Sequence, residues 1–217
     1  MVNTFSPFGF RQFGTLEGNG PTYGLTRRYL ASSDTNLYFT GDVVAISTGA
    51  LAPLGYITLP STGTAPSAPV TGIFAGCEFY SPSVGRTVWS SYFPGNTTSS
   101  SPCNAYVIEG EDNLFLVQCT TNAVVGTSCI GWNFGFTSSD TGAAQKNGNI
   151  TTGISNIALQ STSANAGSSI NLAFRLVDTT SNYFPPGVNG TDGTSAGAIV
   201  VVAFDNQYRR TLTAVAS

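Results

Sequence analysis

The stretch Ala105 to Thr120, AYVIEGEDNLFLVQCT, constrains the fold more than any other part of the chain. Tyr106–Val107–Ile108 and Leu114–Phe115–Leu116–Val117 are β-branched and aromatic runs, and everything between them, Glu109–Gly110–Glu111–Asp112–Asn113, is polar or glycine. Two such runs joined by a short polar loop containing glycine read as a β-hairpin. Both arms are apolar at nearly every position, so both faces of each strand are expected to be covered. The stretch therefore belongs in the middle of a packed all-β body, with its acidic tip in water.

Further strand signals fall at Tyr23 to Leu30, Leu37 to Ile46 (with a turn at Gly41–Asp42), Leu54 to Leu59 and Val70 to Tyr80. Others follow at Val124 to Phe136, Ile154 to Leu159, Ile170 to Val177 and Ala198 to Phe204, with Asn206 to Leu212 continuing as an edge. In Ile170 to Val177 the large residues Ile170, Leu172, Phe174 and Leu176 share one face. Nothing shows a sustained helical period. The pattern predicts an antiparallel β-sandwich or barrel, jelly-roll-like, with long loops. Those loops are residues 60–70, 90–104 and 178–197, with a polar glycine-rich loop at 137–153. Loops of such length usually carry contacts. Residues 1–35 interleave Phe5, Phe8, Phe10 and Phe13 with Ser, Pro, Gly, Arg and Gln, and Gly9 and Gly14 oppose a helix. They read as an extended N-terminal arm plus a first strand, its phenylalanines docking on the protein's own core or on a neighbour. Residues 36–217 read as a single β-rich domain.

Charge is the unusual part of the composition. Only 9% of the 217 residues are charged while 41% are hydrophobic, against about 25% charged in an average globular protein. Ser, Thr, Asn and Gly replace the missing ions, and neutral polar groups cost less to desolvate. Such a surface suits a protein covered by neighbours, and equally a long-lived extracellular β protein. The net charge is −3, the adjacent basic pairs are Arg27–Arg28 and Arg209–Arg210, and Lys146 is the single lysine. A nucleic-acid site needs a basic stripe, so these pairs read as surface or interface arginines. No run approaches the ~18 apolar residues of a membrane helix. The opening MVNTFSPFGFRQF lacks the basic start and apolar core of a signal peptide.

The chain has no histidine, which removes the commonest general base and any Ser–His or Cys–His nucleophile. Cys77, Cys103, Cys119 and Cys129 are widely and irregularly spaced, unlike a zinc site. Free thiols are expected, with one disulfide left open. No cofactor or metal is expected. A hydrolase would require Glu78 to face Glu109 or Glu111 across a cleft. The tip carboxylates Glu109, Glu111 and Asp112 fit a solvated loop better, and their spacing is not that of an EF-hand. Trp89, Tyr92 and Phe93 could stack on a sugar, or could be core or interface aromatics.

Several phrases, in order, resemble the head decoration, or cement, proteins of tailed bacteriophages. They are Phe5 to Phe10, Gly41–Asp42–Val43, Ala105 to Gln118 and Ile130–Gly131–Trp132–Asn133. Thr152–Gly153–Ile154–Ser155, Arg175 to Asp178 and Val202 to Arg209 complete the series. The chain departs from the family in having Gln207–Tyr208 where a histidine is usual. The resemblance implies a structural, non-enzymatic virion protein, assembled in the host cytoplasm, that binds the outside of the phage head. It implies major capsid protein as partner and a homo-oligomer, trimer before dimer, that bridges capsid subunits. It brings no nucleic-acid or membrane partner. Phe5, Phe8, Phe10, Phe13, Arg27 and Arg28 are the capsid-contact candidates. The alternative is an extracellular or virion carbohydrate-binding adhesin resting on Trp89, Tyr92, Phe93 and the acidic tip.

Overall fold

A computed structural model describes residues 3–21, 23–47, 55–60, 69–97, 103–137, 148–162, 166–167, 172–179 and 195–209. In chain order its strands are β1 (Arg11–Thr15), β2 (Thr26–Leu30), β3 (Tyr38–Phe39), β4 (Val43–Ile46), β5 (Ile57–Thr58) and β6 (Gly72–Ser81). Then come β7 (Arg86–Ser90), β8 (Tyr92–Phe93), β9 (Cys103–Ile108), β10 (Asn113–Gln118) and β11 (Asn133–Phe134). The last are β12 (Gly148–Asn149), β13 (Ile154–Ser155), β14 (Ala166–Gly167), β15 (Phe174–Thr179) and β16 (Ile199–Phe204). One antiparallel sheet has the order β1-β10-β16-β15-β11-β14, and a second has β2-β9-β6-β4-β5 with β7 beside β6. β12–β13 and β3–β8 are small separate pairs. The protein is an all-β antiparallel sandwich, as the strand signals predict.

Side-chain alternation builds the core. In β16, Val200, Val202 and Phe204 face inward while Val201 and Ala203 face the other way. In β10, Phe115 and Val117 sit opposite Val202 and Val200 and share their face. The second sheet adds Val43, Ile73 and Ile108 to this core. On its other face Val44, Phe74 and Val107 pack with Tyr38, Ile57 and Phe93. That end of the second sheet is covered on both sides, which explains strands that are apolar at every residue.

β9 and β10 are not a hairpin. β9 lies between β2 and β6, and β10 lies between β1 and β16. The polar segment after Ile108 is a crossover that carries the chain from one sheet to the other. Two doubly apolar strands each need two strand neighbours and cover on both faces, and central places in two stacked sheets supply both. The strand expected over 124–136 is also shorter than its pattern. Thr127–Cys129 form a 3₁₀ turn, Ile130 and Trp132 are exposed, and only Asn133–Phe134 join the sheet. Most of residues 60–70, 137–153 and 178–197 falls outside the described residues, as do Ile170, Asn171 and Lys146, while the loop expected over 90–104 instead contains β8 and the start of β9.

The N-terminal segment is extended, but it belongs to the body and is no appendage. The Gln118 amide donates to the Thr4 and Gly197 carbonyls at 2.8 and 2.9 Å, and its carbonyl oxygen accepts the Ser6 N–H at 2.9 Å. β1 then pairs with β10, with a bulge at Phe13. Phe10, only 2% exposed, stacks on Phe174 at 4.2 Å between centroids and meets Phe115 and Phe136 edge-on. Its neighbour Gly9 has φ +71°, and a Cβ there would come within 2.7 Å of the Ser155 Cβ and 2.9 Å of the Gly41 oxygen, so both backbone conformation and space call for glycine. The Phe10 N–H donates to that oxygen at 3.0 Å.

Asp42 closes the expected turn at this junction. Its N–H donates to the Phe39 carbonyl at 2.9 Å, and its Oδ2 accepts the Phe39 N–H at 2.7 Å. The carboxyl is fully buried and its Oδ1 has no hydrogen-bond partner. Burial pushes the group from 3.8 up to about 7, against hydrogen bonds from Ser155 and Phe39 that pull it down.

Two outcomes follow from this packing. Phe10→Ala should destabilise the protein by about 3–5 kcal/mol in urea unfolding, the loss expected for a buried aromatic. Asp42 binds its proton more tightly folded than unfolded. Its contribution is therefore complete below 3.8 and is lost as pH rises to about 7. The ionisation penalty above that range is about 4 kcal/mol. Asp42→Asn should flatten the stability profile across this window, and an unchanged slope would contradict the assignment.

Candidate functional site

The crossover holds a charged knot that the sequence does not announce as one. Glu109, with a fully buried side chain, receives Arg28 Nε on Oε1 at 2.5 Å and Arg28 Nη2 on Oε2 at 2.7 Å. The Tyr208 hydroxyl donates to Oε2 at 2.8 Å and Arg209 Nη2 at 3.0 Å. Arg28 also donates to the Tyr208 oxygen and lies over its ring at 5.4 Å. The Gln207 amide ties the Glu109 and Thr71 carbonyls at 2.8 and 3.0 Å. The hydrogen bond to Glu109 raises Arg28 above its ordinary value against the cost of its burial. One arginine from each basic pair thus ends on the same carboxylate; Arg210 lies outside the described residues.

This geometry overturns the solvated acidic tip. Glu109 is inside, Glu111 is half-buried, and Asp112 alone among the three carboxylates is exposed. Glu78 sits opposite Asn104 in the sheet, five residues from Glu109 along β9. At ~3.4 Å per residue that is roughly 17 Å, beyond the ~5–9.5 Å of paired catalytic carboxylates. The four cysteines are free, and burial pushes the thiols of Cys77, Cys103 and Cys119 up, so none of these three is poised as a nucleophile.

The capsid-contact candidates separate accordingly. Phe10 is core, and Arg28, a quarter exposed, spends its guanidinium on Glu109. Phe13 is half-buried against Leu114 and Leu116 on the outer face of the first sheet. Phe5 is 48% exposed. Phe8 and Arg11, with the guanidinium 5.0 Å above the phenyl ring, line an open groove of about 330 Å³. Ser6, Asn149, Thr152 and Ile154 complete its walls. The β12–β13 hairpin supplies the far side, and Arg11 had no signal beyond its place among the phenylalanines.

Arg27 belongs to a different surface. Past the sandwich contact, the second sheet turns a face with exposed Tyr29 and Trp89 to solvent. Tyr29, Asn104, Glu78 and Trp89 lie in register across β2, β9, β6 and β7, with Arg27 and Tyr106 in the adjacent row. Arg27 Nε donates to Asn104 Oδ1 at 3.0 Å and stands 5.8 Å from the Tyr29 ring centroid. The Tyr106 hydroxyl binds Glu78, which raises the phenol above its ordinary value, with desolvation and the Glu78 charge adding and Arg27 opposing. Trp89 is 62% exposed, whereas Tyr92 is half-buried and Phe93 is fully buried under the second sheet.

No protein-family model, curated protein or solved structure matches the chain.

Glu109→Gln removes the charge that both arginines face. Breaking a buried pair costs about 3–5 kcal/mol, and because Arg28 and Arg209 are partly exposed the loss should fall near ~3 kcal/mol. Chemical denaturation checks this. A change of a few tenths would mean the knot adds nothing.

Proposed function

We propose that this chain is a structural virion protein that decorates the outside of an assembled phage head. It bridges neighbouring major capsid subunits, acts as a homo-oligomer and works without catalysis. The observation that carries the reading is the surface of the N-terminal segment. Phe5 stands exposed, and Phe8 with Arg11 forms one wall of an open groove, while Phe10 and Gln118 anchor that segment rigidly behind it. An aromatic and arginine surface on a pre-ordered backbone binds with little loss of conformational freedom. The resemblance of the ordered phrases to those of cement proteins supports the same reading, and so does the scarcity of charge.

Cementing then works by mass action. A ligand that binds the assembled lattice and not its loose subunits stabilises the lattice. Several linked copies on symmetric sites add avidity without a new kind of contact.

Deleting the N-terminal segment would be a poor test, because it would remove Phe10 and β1 from the body. Phe5→Ser, Phe8→Ser and Arg11→Gln together leave the anchors intact. The triple variant should keep the parent's unfolding transition. Its occupancy on particles lacking the protein, measured by co-sedimentation and electron microscopy, should fall about tenfold or more. Undiminished occupancy would remove this surface from the contact, and absence of binding by the parent would end the reading.

A further inference from the structure

We infer that the face of the second sheet carrying Tyr29 and Trp89 is a binding platform for a neutral oligosaccharide. The row Tyr29–Asn104–Glu78–Trp89 runs aromatic, amide, carboxylate, aromatic across four paired strands. Three inter-strand steps of about 4.8 Å place the outer two backbones roughly 14 Å apart. A single sugar ring does not span that distance; a short chain of them does.

The Trp89 ring is set for stacking. It lies over Gly76, where a Cβ would come within 2.8 Å of Cζ2 and 3.3 Å of Cε2. Gly76 also has φ +141°, a conformation that side chains other than hydrogen rarely adopt. The missing side chain lets the indole settle against the sheet and leaves more than half of its surface open. At the other end Tyr29 is held against Tyr56, with ring centroids 5.8 Å apart, and against Arg27. Each ring can take the C–H face of a pyranose, an apolar surface rimmed by hydroxyls.

The groups between the rings suit those hydroxyls. Asn104 uses its carbonyl oxygen on Arg27 and keeps its amide donors. Glu78 takes one hydrogen bond from Tyr106 and keeps acceptor capacity. Arg27 uses Nε and keeps its terminal N–H groups. Donors and acceptors therefore alternate along the platform, as a polyol requires. Arg27 and Glu78 also offset each other's charge, which favours a neutral ligand over an acidic one. This property is independent of lattice binding, which uses the N-terminal surface.

The test uses the full chain on a glycan array. Saturation-transfer NMR then follows with maltotriose, cellotriose and tri-N-acetylchitotriose as soluble probes. The expected result is binding of at least one neutral oligosaccharide, weakened about tenfold or more by Trp89→Ala. Glu78→Gln and Tyr106→Phe should weaken it several-fold, and Tyr208→Phe, on the Glu109 knot, should leave it unchanged. Circular dichroism and thermal melts confirm that each variant is folded. A silent array, or affinity that survives Trp89→Ala in the folded protein, overturns the inference. Loss of oligomerisation or of particle binding on Trp89→Ala, with no glycan bound, would identify the face as a protein interface and overturn it equally.

Discussion

A carboxylate taken out of water without compensation costs several kcal/mol, and Glu109 sits where that cost would fall on the crossover between the two sheets. It begins the segment by which the chain leaves the second sheet and enters the first. Arg28 comes to it from β2, and Tyr208 and Arg209 come from beyond β16. The knot therefore fixes the corner between the sheets and, through Gln207, the end of the central strand run. Three segments far apart in sequence are placed by one side chain. A buried ion pair gains little over apolar packing of the same volume, but breaking it leaves an uncompensated charge, and here the groups it holds together are those of the sheet crossover.

The same knot shapes the surface. It draws two of the chain's eight basic groups onto one inward carboxylate. A chain already poor in charge becomes poorer still where it meets solvent. Alongside exposed charges such as Glu17, Arg86 and Asp112, the described surface carries Ser, Thr and Asn with a few large aromatics, and such neutral groups shed water at modest cost. Neutral surface and internal charge are two consequences of the same distribution of residues.

Strand identity was legible because it is local. The run Ala198 to Phe204 and the turn at Gly41–Asp42 each state their structure within a few residues, whereas the strand expected from Ile170 to Val177 begins only at Phe174, and Ala173 joins Phe174 and Leu176 in the core instead of facing away. Partnership was not legible. The pattern Tyr106 to Val117 is compatible with a hairpin and with a crossover, because periodicity reports how many faces are covered and not by which strand. The knot stayed hidden for a related reason. Glu109 looked like a loop residue beside Gly110, and its partners lie 81 and 100 positions away. Phe10 differs from Phe5 and Phe8 only in context: Gly9 permits the close approach to Gly41 and turns that one phenylalanine into the core. Trp89 was visible as an aromatic near a loop, but its exposure depends on Gly76 in the neighbouring strand.

Several sequence phrases far apart in the chain meet in space. Phe8–Gly9–Phe10 touches Gly41–Asp42, and Ser155 reaches both, its N–H on the Thr40 carbonyl at 3.0 Å and its Cβ beside Gly9. Ala105 to Gln118 and Val202 to Arg209 meet at Glu109. These phrases sit where the fold tolerates few alternatives, at a close backbone approach, a buried carboxyl and a corner, whereas Ile130 and Trp132 are exposed. Such positions restrict sequence whatever the surface does, so the phrases speak first to architecture. The contact residues argued here, Phe5, Arg11 and Trp89, lie at or beyond the edges of those constrained points.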